Sequence, residues 1–492
     1  LGAEFSALGI ELRLGEKKAS RRECEACQSA AYLSDFERTL VVLKLFGGFM
    51  THLTSRRRFR LQRRSFVAGL GGLAALGPVR LARATGNPKV VVIGAGVAGL
   101  SASKTLSAEG VEHVVIEAAD RIGGRIYTES STFGTPCDVG AHWLHNGETN
   151  PLVPFARRSG IDVYEAGEVE GLFADGRWLE GDAEEEIWDE VDDAESAINR
   201  AVDRDRDVSL RSVMDSDTSP LAAFLVGAYE HAASVGSLST IDWDRQEEGT
   251  DMFHDGALGS LAAAWGAEVP VQFNTAATRV DWSSRGVKVQ TSSGTIEADA
   301  VIVTVPTSVL ARGAIKFGHD LPQETSKAIG DLPLGSYNHI ILQMSGNPFD
   351  VEEDTMLCYA GNGGTAGLLV NAGGSGLTYF DVAGDFGAKL TRQGEGAMVE
   401  FARAALQDML GADGLTSLTK AKAFPWEANP LAGGAYTAAR PGRARARERL
   451  KRPVADRLFF AGEATSISKP ATLDGAIAEG ARAARVAADE VT

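Results

Sequence analysis

The sequence is poor in cysteine, with four in 492 residues. That excludes a disulfide framework. Only Cys24 and Cys27 stand close enough to form a C-x-x-C pair, and Cys137 and Cys358 are isolated. One such pair, without a second pair or a histidine cluster, does not make a zinc or redox motif. No metal site is expected. Positive charge is also scarce: 49 Lys and Arg stand against 66 Asp and Glu, a net charge of −17. Nucleic-acid binding needs a basic face to neutralise phosphates, so nucleic acid is excluded as a partner. The acidity suits a cationic ligand through long-range steering, and equally suits an ordinary solvated surface. Long apolar runs are missing too. The run at 66–76 falls short of the about 20 residues a membrane-spanning helix needs, so no stable membrane insertion is expected. What remains is a globular composition, 44% hydrophobic and 23% charged, long enough for two or three domain-sized cores.

Residues 1–49 show no periodic pattern and are read as an upstream extension without function. Met50 is read as the start of an export signal spanning 50–84. Arg56, Arg57, Arg58, Arg60, Arg63 and Arg64 come first, with no acid among them. Ser65-Phe66-Val67 after Arg63-Arg64 resembles a twin-arginine signal, with Ser55-Arg56-Arg57-Arg58-Phe59 as a second register; the run at 66–76 follows, and Ala82-Arg83-Ala84 supplies a small-x-small cleavage pattern. The mature chain is expected to begin near Thr85 and to be periplasmic or secreted. Its oligomeric state is left open.

Lys89-Val90-Val91-Val92-Ile93 is the kind of apolar run that forms a buried parallel strand. It leads into Gly94-Ala95-Gly96-Val97-Ala98-Gly99, then a helical pattern, then a strand at Val114-Val115-Ile116. This strand–turn–helix–strand unit is the setting of a dinucleotide site. Gly94 permits the tight turn, Gly96 lets backbone approach a pyrophosphate, and Gly99 lets helix and strand pack closely. The phosphates then sit on a helix N-terminus. Glu117, ending the second strand, is placed to bond ribose hydroxyls. Next comes Arg121-Ile122-Gly123-Gly124-Arg125, a second glycine turn that a simple NAD dehydrogenase does not need. It resembles the flavoprotein pattern in which such a turn and its arginine approach the pyrophosphate, and it moves the expected cofactor from NAD to FAD. Near the C-terminus, Phe460-Ala461-Gly462-Glu463 ends a strand in a small-residue turn, and Thr472-Leu473 opens the last helix, its N-terminus directed at the flavin.

Between these motifs, 185–245 is acidic and helical in pattern. Strands are expected at 271–273, 277–282, 287–291, 300–305, 339–344 and 457–460. Loops are expected around 361–376, and helices at 395–410 and 473–490. The arginine-rich stretch 440–452 reads as a solvated helix face or loop. The expected fold is α/β. A discontinuous Rossmann-type FAD-binding domain is drawn from 85–150, 255–310 and 421–492, and an inserted mixed-sheet and helical substrate domain from 151–254 and 311–420.

With these motifs the chain resembles the flavin-containing amine oxidases, a family that includes monoamine and polyamine oxidases, bacterial L-amino-acid oxidases and histone lysine demethylases. The resemblance runs from about Lys89 to the C-terminus. It also rests on Gly140-Ala141-His142-Trp143-Leu144-His145, Asn150-Pro151-Leu152, Asp299-Ala300-Val301, Gly433-Gly434-Ala435-Tyr436 and Pro470-Ala471-Thr472. Polyamine oxidases are the most similar branch in these segments. The resemblance implies that Gly140, Ala141, His142 and Trp143 lie along the isoalloxazine ring. It implies that Val280 meets the adenine through its backbone and that Trp426 packs near the flavin. Tyr436 becomes one wall of an aromatic cage, and His145 a polar group in the amine pocket.

Three positions depart from the family. Ala435 stands where monoamine oxidases carry the cysteine that bonds FAD, so FAD is expected to be non-covalent. The second cage wall falls near Thr472, which is not aromatic. His339, in Gly335-Ser336-Tyr337-Asn338-His339, replaces the lysine that holds a water against the flavin. Either His339 holds that water, or it is a plain strand residue. The implied reaction is hydride transfer from the carbon beside an amine nitrogen to FAD, followed by hydrolysis of the imine. Electrons then pass to oxygen or to a periplasmic carrier. An L-amino-acid oxidase, which would need an arginine for the substrate carboxylate, an amine dehydrogenase and a flavin-binding protein without turnover are the alternatives. A carotenoid-type desaturase is disfavoured by the segments around His145 and Tyr436.

Overall fold

The computed structural model describes residues 88–492 except 248. The arginine-rich leader, its cleavage pattern, Cys24 and Cys27 lie outside the described residues.

Five parallel strands form the first sheet, in the order Leu458–Phe460, Ala300–Val303, Val90–Ile93, His113–Ile116 and Val271–Gln272. The central strand is all β-branched and buried on both faces, as a parallel sheet covered on both sides requires. Val90 and Val92 face helices Val97–Ala108 and Leu473–Val491. Val91 and Ile93 face a second sheet, made of Gly294–Ala298, Gly286–Thr291, Ala277–Ser283 and Lys316–Phe317. The two helices touch at backbone distance. A Cβ on Gly480 would lie 2.0 Å from the Ala98 carbonyl oxygen, and Ala483, Ala484 and Ala487 continue the small-residue face.

A seven-stranded sheet forms the other half of the fold. Its order is Leu418–Phe424, Tyr337–Met344, Leu377–Ala383, Gly364–Val370, Thr355–Gly361, Val169–Ala174 and Arg177–Trp178. The two-residue period divides its strand Tyr337–Met344. Ile340, Leu342 and Met344 pack in the core beneath the helical segment Glu395–Ser417, whereas Ile341 packs with Tyr379 on the opposite face. Helix Asp182–Val202 and the segments 210–229 bury a separate apolar cluster.

Two expectations are corrected here. The stretch 361–376, expected as loop, contains strand Gly364–Val370. Asn362 and Gly363, both at positive φ, form a two-residue hairpin turn between paired Gly361 and Gly364. An Asn-Gly pair is a strong signal for that turn, and the glycine content around it masked the signal. The stretch 440–452, expected as a solvated face, carries Arg447, which is fully buried. Its Nε and Nη2 donate to the two oxygens of Asp242 at 2.7 and 2.8 Å, and other donors reach Thr437 and the Glu463 carbonyl. A charge run read only by composition hides the one arginine whose donors are all taken inside.

Burial alone would raise the Asp242 carboxyl, but Arg447 outweighs it and holds the group below the usual range. Its stabilising contribution is therefore complete above the ordinary carboxylate pKa, and is lost as pH falls through the depressed folded value. Arg447→Ala is expected to cost about 3–5 kcal/mol by leaving Asp242 buried and unpaired. Urea unfolding of the holoenzyme measures this, and a loss under about 1 kcal/mol would contradict the buried-pair account.

Candidate functional site

A cavity of about 900 Å³ runs past both glycine turns, the segment Gly140 to Trp143 and the face of the seven-stranded sheet carrying Tyr337 and His339. That volume is at the upper end for ligand sites, as a dinucleotide with a substrate beside it demands.

At the nucleotide end, strand Val90–Ile93 delivers Gly94, with φ at +106°, into the turn. A Cβ on Gly99 would sit 1.9 Å from the Gly94 carbonyl oxygen, so helix and turn lock together only without a side chain there. Gly96 begins the helix without a side-chain cap, and nothing lies within 4 Å of where its Cβ would be. That leaves an open cradle before free helix N–H groups, which fits the pyrophosphate of FAD. Glu117 accepts the Ala95 N–H at 2.7 Å and the Ala119 N–H at 2.8 Å, so it closes the loop while still facing the cavity. Gly123 and Gly124 return against Gly96. Arg125 binds Glu463 Oε1 at 2.9 Å and the Ala435 carbonyl at 2.5 Å. Gly462, Glu463, Thr472 and Leu473 line the cavity beside them, with Thr472 capping the last helix through the Gly475 N–H.

Val280 is a correction. It is fully buried between two sheets, its carbonyl accepts the Gly318 N–H, and it does not line the cavity. Thr275, Ala276, Ala277 and Thr278 line it instead, because the sheet meets the cavity at the start of that strand. No cysteine among the described residues lines the cavity either. Cys137 and Cys358 are buried elsewhere, in keeping with non-covalent FAD.

At the other end, Gly140, Ala141, His142, Trp143, His145, Trp426, Tyr436 and His339 all line the cavity. Trp426 donates from Nε1 to the Val139 carbonyl at 2.6 Å, and its backbone N–H donates to Asn338. His339 lies between Asp381 Oδ1, 2.6 Å from Nδ1, and the Gly140 carbonyl, 2.8 Å from Nε2. Neither nitrogen is left to hold a water, which corrects that alternative. Burial pulls the imidazole down, but Asp381 outweighs it and leaves His339 above its ordinary value. Burial and the neighbouring His339 push His142 down to about 3, so it is uncharged. His145 stacks on Trp143, and Asp251 at 2.7 Å raises it against the pull of burial.

Sequence reasoning missed several lining groups. Tyr337 stands 6.0 Å from Tyr436 by ring centroids and supplies the aromatic surface that Thr472 does not. Trp188 and Tyr229 add to it, and Glu168, Glu230 and Asp251 give the same end three carboxyl groups. Burial raises Glu230, with nearby His145 lowering it and Asp251 raising it. The only signal in the sequence was the acidity of the region from Glu168 to Asp251, which does not say which acids point inward.

Gly99→Val is expected to yield protein without FAD, because either the turn or the helix must move. The ratio of flavin to protein absorbance after purification measures this, and full flavin content would contradict the lock.

The family model described as flavin containing amine oxidoreductase matches residues 97–185 and 170–488. Polyamine oxidase 2 of Arabidopsis thaliana is 30% identical over 439 residues, covering 81% of this chain and 88% of the relative. Polyamine oxidase 4 of Oryza sativa subsp. japonica is 28% identical over 81% of this chain and 88% of its own. A putrescine oxidase structure bound to putrescine superposes with a TM-score of 0.68 at 19% identity, covering 81% of this chain and 98% of that one, and so shares the fold. With the model matched along most of its length, the chain belongs to the flavin-containing amine oxidoreductases, as an amine oxidase with FAD as its cofactor.

Proposed function

We propose that the enzyme oxidises polyamines or diamines, and that it does so after export by the twin-arginine route. The observation that supports a polycationic substrate is the set of carboxyl groups at the aromatic end of the cavity, Glu168, Glu230 and Asp251. An ammonium group remote from the reacting carbon finds its partner there. The reacting nitrogen has the opposite requirement, since its lone pair must be free. The phenols of Tyr337 and Tyr436 are held well above their ordinary value by burial, and His142 is uncharged. A neutral, partly apolar wall of this kind disfavours an ammonium and favours the free amine. When bound, FAD supplies the acceptor for the hydride leaving the carbon beside that nitrogen. Water then splits the imine into an aldehyde and a smaller amine. The acidic residues and the walls orient the chain; no nucleophile is required of the protein.

An amino-acid substrate fits less well. Among the described residues, the arginines lining the cavity are Arg121 and Arg125. Arg125 is held by Glu463 and Ala435, and Arg121 donates to backbone carbonyls beside the second glycine turn. Neither is available to a carboxylate at the amine end. The final electron acceptor is oxygen or a periplasmic carrier, and reoxidation in air separates them.

Anaerobic mixing with spermidine or putrescine is expected to bleach the flavin, whereas L-amino acids do not. If only amino acids bleach it, the polyamine reading fails. Prompt recovery in air marks an oxidase; slow recovery marks a dehydrogenase with a carrier. Glu230→Gln is expected to raise KM for spermidine about tenfold or more and to leave a simple monoamine little affected. Equal losses for both would remove Glu230 from substrate recognition.

A further inference from the structure

His339 and Asp381 stand directly opposite each other on neighbouring antiparallel strands. Their side chains are only 4% and 5% exposed. The Gly140 carbonyl can only accept, so His339 Nε2 carries a proton. Asp381 accepts from the Tyr337 hydroxyl at 3.0 Å through its other oxygen. The remaining proton, between Nδ1 and Oδ1, goes to the stronger base, which is the imidazole. His339 lines the cavity and Asp381 lies behind it, so the pair has its positive end toward the ligand. Of the other groups around the ring, His142 lies 4.7 Å away by centroids and Tyr379 5.3 Å, with Tyr337 on the same strand. Asp138 adds a more distant negative charge. None of these can take either proton from His339: His142 is uncharged with its own value near 3, and the tyrosines are neutral phenols.

We propose that His339 and Asp381 form a permanent imidazolium–carboxylate pair that builds a fixed positive charge into the cavity wall. His339 is then a positioning residue. It clamps the Gly140 carbonyl, and with it the segment through Trp143, and it takes the place of an exchangeable water rather than holding one. A positive charge at this wall favours the electron-rich state of a flavin bound against it. The inference rests on FAD as the cofactor of this site and not on which amine is oxidised.

The test uses the holoenzyme with histidines labelled at the ring nitrogens. Between pH 5 and pH 9 one histidine, absent from His339→Gln, is expected to keep both nitrogens in the protonated state throughout. A neutral ring at that position, or one that titrates through pH 7, overturns the proposal. The second reading is the flavin's own affinity for an electron pair, measured by its midpoint potential and by titration with sulfite. His339→Gln is expected to lower the potential and weaken sulfite binding about tenfold. Asp381→Asn is expected to act in the same direction because its unpaired histidine loses the proton, while His339→Lys restores most of the affinity. Unchanged sulfite binding in folded, flavin-loaded His339→Gln overturns the electrostatic role. Should that variant lose its flavin, Asp381→Asn decides the matter in its place. No amine enters either measurement, so a failed polyamine assay leaves both results standing.

Discussion

The ion pair between Arg125 and Glu463 joins parts of the chain 338 residues apart, and much of the site hangs on it. Arg125 follows the second glycine turn, while Glu463 follows the strand Leu458–Phe460 at the sheet's edge. The same arginine holds the Ala435 carbonyl, and the other oxygen of Glu463 holds Thr437. Thr437 in turn meets Arg447, whose guanidinium is closed by Asp242. The chain of contacts therefore runs from the nucleotide turn to the helical layer around Asp242. Each charge in it is matched before it is buried, which is the condition for keeping charges inside at all. It fixes Tyr436 between Ala435 and Thr437, and so places one wall of the amine pocket relative to the cofactor's cradle.

The two ends of the cavity solve opposite problems. The nucleotide end must let backbone approach an anion, so it is made of glycines, helix N–H groups and short loops. On the proposed polyamine reading, the amine end would hold a cation by one part and keep another part uncharged. Carboxyl groups at Glu168, Glu230 and Asp251 would serve the first need, and neutral aromatic and imidazole groups the second. His339 and Asp381 are paired at the amine end, and the imidazole of His339, together with burial, disfavours a charge on His142.

The nucleotide half was legible in the sequence because each of its residues answers a backbone constraint. Gly94, Gly99 and the turn at Gly123 and Gly124 admit few other residue types, and their order along the chain, with Gly96 left open between them, carries the geometry. Val280 was misplaced because the resemblance put the adenine contact too far along the strand, whose start rather than its middle meets the cavity. The amine half was less legible. Asp381 becomes the partner of His339 only through strand register, and that register follows from a sheet whose strands at Thr355–Gly361, Gly364–Val370 and Leu377–Ala383 were not anticipated. Glu230 follows a π-helical segment, Phe224–Tyr229, a local irregularity with no simple sequence period. Arg447 was lost among exposed arginines, because composition does not tell which member of a charge run is buried.

On the proposed reading, the cavity binds one end of its substrate as a cation and oxidises the other end as a free amine. The most direct test is a series of linear diamines of increasing length, with the matching monoamines, mixed anaerobically with the enzyme while the rate of flavin bleaching is followed. A fixed distance between the carboxyl groups and the reacting position predicts a clear optimum in diamine length, with monoamines slower at every length. Rates that rise smoothly with apolar length, and are the same for monoamines and diamines, would contradict it.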